Sequence, residues 1–504
     1  MYGPVLPRGP LTIAAWLIER GHTARVLDGY SYPAILSNYV REASGTADLV
    51  GISIHAAPAL APAMELAHRL RAADETKPIV FGGNFTRVAP DVVRSYAPSG
   101  CAVITDATDT VLEAGIAAAI ERQSGPTRLF RDTSGDVRPD WSGQFLFDPL
   151  HPSFRSYLKD EDFEYHIATQ DGCPFRCFHC GTGRAGLYGR TMRRPLTALE
   201  GELRTLASYC AAHGLLRPRL WISDETFISD ENNAIAVCDL LESTGPWQWR
   251  AQTRVDRAGA LTLARMAQVG CSMVAFGVEI PTDSGLQSLG KRESMISARQ
   301  AFRATHAAGM EAQAILVVGT PDDRSSAGAI FEEIASLEAD SIQAYIYHPV
   351  PGSPWWSRYG QSSPRDIEWW SSLDFHTPPI TGDQSVSEVV AKFLALLVWE
   401  PERPKALGPA VALELERHSV CDCNTHAPVR VLECTPSVTT FLLESLDRFT
   451  VAVAYCNRTG QAVAAPVTQS NIYTSALFID DPLPIDELLT EAWSLQERES
   501  GPGA

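Results

Sequence analysis

Two hydrophobic rhythms organise this chain. Short apolar runs that read as strands alternate with longer stretches whose apolar residues recur at helical spacing. LTIAAWLIE reads as an amphipathic helix stopped by Gly21. ARVLDG (24–29), DLVGISIH (48–55) and PIVFGGN (78–84) read as strands, with a helix over 57–73. VITDATDTVLEAGIAAAI (103–120) reads as a short strand and then a helix. Strands alternating with helices predict an α/β fold, here a doubly wound parallel sheet, with ligands at the C-terminal strand ends. Those ends are Ser53 to His55 and Gly82 to Asn84.

Residues 121–163 are mixed in polarity and read as a linker. The alternation then resumes. Strands are expected at 165–169, 219–223, 247–253, 273–279, 312–319 and 341–348, and helices at 195–212, 231–243, 258–269, 295–308 and 326–338. Six βα units in series predict a full or partial barrel whose site lies at the strand C-termini. Beyond about 380 the pattern changes to a helix at 387–399 and strand-like runs at 429–446, 451–457 and 475–481, a small α+β domain. The expected division is 1–125, a linker over 126–163, a barrel over 164–380, and 381–504.

Composition narrows the function. The net charge is −18 over 504 residues, which opposes broad binding to nucleic acid or an anionic membrane. No apolar run is long enough to span a bilayer, and the first residues lack a signal-peptide pattern. The expected location is the cytoplasm. Eleven cysteines in that setting point to metal or redox chemistry sooner than to disulfides.

The sharpest feature is GCPFRCFHCGTG, Gly172 to Gly183, directly after a predicted strand. Cys173, Cys177 and Cys180 form CxxxCxxC. A loop of this length can bring three thiolates to three corners of a 4Fe–4S cube, leaving one iron open where a cluster normally has a fourth thiolate. The rival is a zinc site completed by His179 or a distant cysteine. Cys421, Cys423, Cys434 and Cys456 are candidates for a second cluster, against the plainer reading of buried small residues.

CxxxCxxC after the first barrel strand resembles the radical SAM superfamily. Five further stretches carry the resemblance in order: WISDETF (221–227), TRVD (253–256), GVEIPTDSGLQSLGK (277–291), VVGTPDD (317–323) and HPVPGSPWW (348–356). GRTMRRP (189–195) resembles the branch with an N-terminal cobalamin-binding domain. The resemblance implies a partial (β/α)6 barrel preceded by a cobalamin-binding-like sheet. It implies S-adenosylmethionine (SAM) chelating the open iron and reductive cleavage to a 5′-deoxyadenosyl radical.

The resemblance also implies roles for particular residues, each with a structural rival. His179 stands where an aromatic residue near the adenine is usual. Asp224 and Glu225 are placed for the SAM ammonium, or serve as helix caps. Arg254 is placed for the SAM carboxylate, or pairs with Asp256. Glu279 is placed for the ribose hydroxyls, or is a buried structural carboxylate. Gly319 admits the adenine, or makes a strand-end turn. Trp355, Trp356, Trp369 and Trp370 line the substrate side, or pack a core.

Residues 1–125 resemble the cobalamin domain, with Ser53, His55, Gly82 and Gly83 as candidate contacts. Three departures weaken that part. The sequence opens without the usual first apolar strand, the DxHxxG cobalt-ligand loop is absent, and the late glycine turn reads TDATD (105–109). The expected activity is cobalamin-dependent methylation of an unactivated carbon in natural-product or peptide biosynthesis. Its alternative is radical rearrangement, epimerisation, cyclisation or oxidation without cobalamin. A small-molecule or peptide substrate and a reductant such as flavodoxin or ferredoxin are the implied partners, with no nucleic acid and no membrane.

Overall fold

Alternating burial along each strand sets the architecture. The computed structural model describes residues 7–28, 36–106, 108–121, 125–131, 158, 163–182, 191–359, 366–371, 373, 384–397, 429–434, 438–444, 450–456, 461–467, 477–479 and 487–492.

The first sheet holds β1 (Val50–Ser53), β2 (Ile79–Gly82), β3 (Ala102–Ile104) and β4 (Arg128–Phe130), all parallel and in that order. Ile52, Ile79, Phe81 and Val103 bury one face with Leu60, Met64, Leu70 and Val93 from the helices Leu60–Ala73 and Pro90–Tyr96. Val80, Ala102 and Ile104 bury the other with Trp16, Val111 and Leu112. Successive strand residues thus serve opposite faces, both covered by helices, as a parallel sheet requires.

Three expectations change here. ARVLDG forms no strand over Ala24 to Asp28, and Val26 packs with the barrel core instead. β4 lies inside the stretch read as linker, most of which falls outside the described residues. The helix Leu36–Thr46 occupies a segment too polar to signal itself.

β5 (Glu164–Ile167) opens the second sheet, β6 (Gln170–Asp171) and β7 (Met192–Arg193) form a separate antiparallel pair, and β8 (Arg219–Ile222), β9 (Trp249–Thr253), β10 (Cys271–Glu279), β11 (Glu311–Val318) and β12 (Ser341–Ile346) complete the second sheet. The six long strands are parallel in the order β12-β11-β10-β9-β8-β5, with no pairing of β12 to β5, so this is a partial barrel. Leu220, Ile222, Trp249, Ala251, Val274, Phe276, Ala314 and Leu316 point into the core beneath the helices. The residues between them, including Trp221, Arg250, Gln252, Gln313 and Ile315, keep partial exposure on the concave side.

The helix Arg8–Glu19 serves both units. Leu11, Ala14 and Ala15 enter the barrel core. Trp16 faces the first sheet and donates Nε1–H to Asp109 at 2.9 Å.

The helix Val386–Leu397 buries Val389, Val390, Ala391, Phe393, Leu394, Ala395 and Leu396, because it too has two partners. It packs on β11 and β12 where the sixth barrel helix belongs, so barrel packing extends past residue 380. Its other side meets an antiparallel sheet of β13 (Val429–Cys434), β14 (Val438–Glu444), β15 (Thr450–Cys456), β16 (Ala462–Pro466) and β17 (Leu477–Ile479). Leu442, Ala452 and Ala454 of that sheet join the barrel core through this helix. Among the described residues no helix is long and apolar enough to cross a membrane.

Candidate functional site

The cysteine loop is fastened at both ends and in the middle. Asp224, at the end of β8, is buried and accepts the backbone N–H groups of Thr169 (2.6 Å) and Gln170 (3.2 Å) together with the Thr169 hydroxyl. Burial pushes this carboxyl up to about 7, against the pull of those hydrogen bonds. Its oxygens anchor the chain just before the first cysteine. Glu225 is the freer of the pair: surrounded by protein yet solvent-accessible, it lines the concavity.

Inside the loop, the Phe178 N–H donates to Leu289 O at 2.8 Å, and Phe178 O accepts from the Trp355 N–H at 3.0 Å. The fourth and sixth motifs thus clamp the residue between two cysteines. The Thr182 N–H lies 3.4 Å from Cys180 Sγ, and Arg254 Nη1 lies 3.5 Å from Cys177 Sγ. Cys173, Cys177 and Cys180 are partly exposed free thiols. Burial lifts Cys173 to about 12, and repulsion from Cys180 and Cys177 adds to it. Three soft donors that repel one another when ionised, beside the fixed positive charges of Arg254 and Lys291, fit a cationic iron–sulfur group.

His179 Nε2 faces Glu279 Oε1 at 4.0 Å, its Nδ1 has no hydrogen-bond partner among the described residues, and burial drives the imidazole down to about 4. Among the described residues no three His, Cys, Asp or Glu side chains close around a single-ion position.

A chain of buried charges runs behind the loop. Lys291 Nζ bonds Gly277 O (2.5 Å) and Glu279 Oε1 (3.1 Å), and pairs with Glu293 at 3.4 Å. Glu293 meets Arg254 Nε at 3.1 Å, and Arg254 forks onto both oxygens of Asp256 at 2.9 and 3.1 Å. Burial alone would raise Glu279, but Lys291 and His179 outweigh it and hold the carboxyl below its ordinary value. Glu279 sits at the β10 bulge with φ 59°, a left-handed conformation for a non-glycine residue. A Cβ at Gly277 would come within 2.7 Å of Glu279 Oε1, so a larger residue there would displace this carboxylate.

Arg254 meets Asp256, Glu293 and Cys177, the pairing with Asp256 being the structural alternative named for it. Gly319 has φ 76°, and a Cβ there would lie 2.6 Å from Val389 Cγ1, so it permits a close approach to the helix Val386–Leu397. Lys291 and Glu293 escaped the sequence reading, although the opposite charges clustered in GKRES were a signal.

The sixth motif joins the two units. Trp355 packs with Tyr347, Ile280 and Leu289, its ring 6.4 Å from that of His179. Its neighbour Trp356 faces Trp370 at 5.5 Å, which meets Phe85 edge-on at 5.4 Å and enters the first sheet's core. Trp356, Trp369 and Trp370 therefore bind the segment that follows the barrel strands to the first sheet. The barrel mouth and the C-terminal ends of β1 and β2 share this wall.

On the N-terminal side, Ser53 and His55 are exposed, and crowding by protein lowers the His55 pKa. The space above Gly82 is open. Gly83, with φ 103°, would place a Cβ 2.4 Å from Ile54 O. Its requirement for glycine is set by the protein's own backbone. Where a glycine turn was expected, Asp106 pairs with Arg87 at 3.5 Å and accepts from the Thr105 hydroxyl at 2.7 Å. Cys456 is buried in β15. Cys421 and Cys423 and the side chain of Cys434 lie outside the described residues.

No protein-family profile matches the chain. An uncharacterized methyltransferase of Pyrococcus horikoshii is 22% identical over 362 residues, 69% of this chain and 77% of that protein. The radical S-adenosylmethionine methyltransferase TsrM of Kitasatospora setae, solved with cobalamin and a 4Fe–4S cluster, superposes with a TM-score of 0.55 at 16% identity, covering 70% of this chain and 74% of TsrM. The cobalamin-dependent S-adenosylmethionine radical enzyme OxsB, solved with aqua-cobalamin, gives a TM-score of 0.53 at 15% identity, covering 83% of this chain and 60% of OxsB. The fold of this chain, a parallel sheet joined to a partial barrel, is the fold of those cobalamin-dependent radical SAM enzymes.

Proposed function

We propose that this chain is a radical SAM enzyme that methylates an unactivated carbon with the help of cobalamin. The observation that carries the proposal is the clamped loop presenting Cys173, Cys177 and Cys180 beside Arg254 at the mouth of a partial barrel. These three thiols would hold a 4Fe–4S cluster. Glu225, Glu279 and His179 line the space beside it and are the residues assigned to SAM. Ser53, His55 and Gly82 face the space assigned to cobalamin.

When bound, the cluster supplies one electron for opening the C–S bond of SAM, and cobalamin a transferable methyl group. The protein's own part is positional. Asp224 and Thr169 fix the start of the loop, and Lys291 orients Glu279. Trp355 and Trp370 close the wall between the two spaces and exclude water.

A second reading keeps SAM cleavage without cobalamin. The Arg87–Asp106 pair across the ends of β2 and β3 favours it. Anaerobic reconstitution separates the two. The first reading expects about four irons per chain, 5′-deoxyadenosine on reduction, and a corrinoid absorption spectrum that survives desalting. Iron and 5′-deoxyadenosine without a retained corrinoid would select the second. Neither product would refute both.

A further inference from the structure

The buried charges behind the cysteine loop do not balance. Two cations, Arg254 and Lys291, face three carboxyl groups, those of Asp256, Glu279 and Glu293. Each cation gives its N–H groups to other acceptors first. Arg254 forks onto both oxygens of Asp256 at 2.9 and 3.1 Å, and its third nitrogen lies 3.5 Å from Cys177 Sγ. Its guanidinium also stacks 4.0 Å from the Phe175 ring, inside the loop. Lys291 Nζ bonds Gly277 O at 2.5 Å and Glu279 Oε1 at 3.1 Å. Glu293 comes last. Its oxygens stand 3.1 Å from Arg254 Nε and 3.4 Å from Lys291 Nζ, and neither accepts a hydrogen bond among the described residues. The side chain has no exposed surface.

The three acids therefore differ. Burial alone would raise Glu279 and Asp256, but Lys291 and Arg254 hold both below their ordinary values. For Glu293 burial prevails. It lifts the carboxyl above its ordinary value, and Asp256 and Glu279 add to the rise against the pull of Lys291 and Arg254. Despite burial, their acidic partners keep Arg254 and Lys291 above their ordinary values, so both stay cationic. Those four groups face Glu293: Lys291 from its own loop, Arg254 and Asp256 from the turn after β9, and Glu279 from the end of β10. Glu293 is the member of the set whose charge is least fixed.

We propose that Glu293 takes up a proton when an electron enters the iron–sulfur group held by Cys173, Cys177 and Cys180, and returns it when that electron leaves. The inference rests on the radical SAM reading and adds a positioning residue to the same site, since Glu293 acts on the thiols through Arg254 and Lys291. Arg254 is shared between Cys177 and Glu293, and Lys291 also attracts the Cys177 thiolate. An added electron makes the thiolate side of these cations more negative. A second negative charge on the buried side is then costly, and a proton removes it. One electron comes from an external one-electron reductant and one proton from water. The carboxylate becomes a carboxylic acid, and no other bond forms or breaks. Asp256 is exposed to solvent and gives the proton its route. Because protonation favours the reduced state, the midpoint potential must rise as pH falls.

The test titrates reconstituted full-length protein with dithionite and redox mediators, reading the midpoint potential by electron paramagnetic resonance from about pH 6 to about pH 9. In the parent the reduction equilibrium should shift by up to about tenfold per pH unit, about 59 mV for one electron. Glu293→Gln, with iron content and SAM affinity like the parent's, should be flat within about twofold per unit, and Glu293→Asp should restore a slope. Infrared difference spectra should show a protonated-carboxyl band on reduction of the parent that Glu293→Gln lacks. A Glu293→Gln protein that keeps the parent's slope would overturn the proposal. Should that variant fail to hold iron, the parent decides alone: a pH-independent potential, or no carboxyl band, overturns the proposal. Iron bound with a flat potential sinks this inference only, whereas a parent that binds no iron refutes the radical SAM reading itself.

Discussion

Arg8 donates to Glu202 at 2.6 Å across 194 positions of sequence. Glu202 is wholly buried and also accepts from the Tyr165 hydroxyl at 2.8 Å and from Arg194 Nη2 at 2.8 Å. Arg8 reaches on to His166 O at 2.7 Å, and Arg194 to Ala168 O at 2.9 Å. One carboxylate thus ties the first helix to β5 and to the chain that enters the cysteine loop.

Burial alone would raise Glu202, but Arg8 and Arg194 overcome it and pull the carboxyl from 4.5 to about 2. A folded value below the unfolded one means the stabilisation is complete above about pH 4.5 and fades as pH falls toward 2. Glu202→Gln leaves two guanidinium groups without their counter-charge and should cost about 3 kcal/mol at pH 7. Urea unfolding at pH 7 and pH 3 should show the gap between variant and parent narrowing in acid.

Replacing Arg254 by Lys separates its two assigned roles. A lysine cannot fork onto Asp256 and reach Cys177 together. Retention of iron after desalting should fall severalfold, whereas SAM affinity measured on protein that keeps its iron should change by less than about threefold. A rise of about a hundredfold in the SAM Kd would restore the carboxylate-clamp role.

Gly319→Ala should destabilise by about 2 kcal/mol, from a left-handed backbone and a collision with Val389. Adding Val389→Ala removes the collision and not the backbone strain. The double variant should therefore be more stable than the sum of the two single losses, as thermal denaturation of all four proteins would reveal.

Glu279→Gln removes the counter-charge of buried Lys291 and changes an acceptor at the assigned SAM position. A loss of about tenfold in SAM affinity is expected, with iron content unchanged, read by equilibrium dialysis and iron analysis. Unaltered SAM affinity with lowered thermal stability would leave Glu279 a structural carboxylate.

The barrel was legible because its strands are apolar and evenly spaced by amphipathic helices. All six long strands fall where the pattern places them, within two or three residues. The cysteine loop was legible because its spacing is chemically unusual. Asp224 and Arg254 were not, since a strand-end charge looks the same in sequence whether it faces a ligand or a neighbouring backbone. Only the fold brings Thr169 to Asp224 and Asp256 onto Arg254's fork. β16 was missed because AVAAP has a single β-branched residue and a proline. ARVLDG misled because its apolar pair matches a strand, while Val26 is claimed by the barrel core.

Trp355 and Trp356 are consecutive in the chain yet belong to different cores. The amide of the first is bonded to the loop that carries the cysteines, and the ring of the second is seated against the N-terminal half. Any shift of Trp356 against Trp370 is therefore passed, through one peptide unit and one hydrogen bond, to the loop that carries Cys173, Cys177 and Cys180.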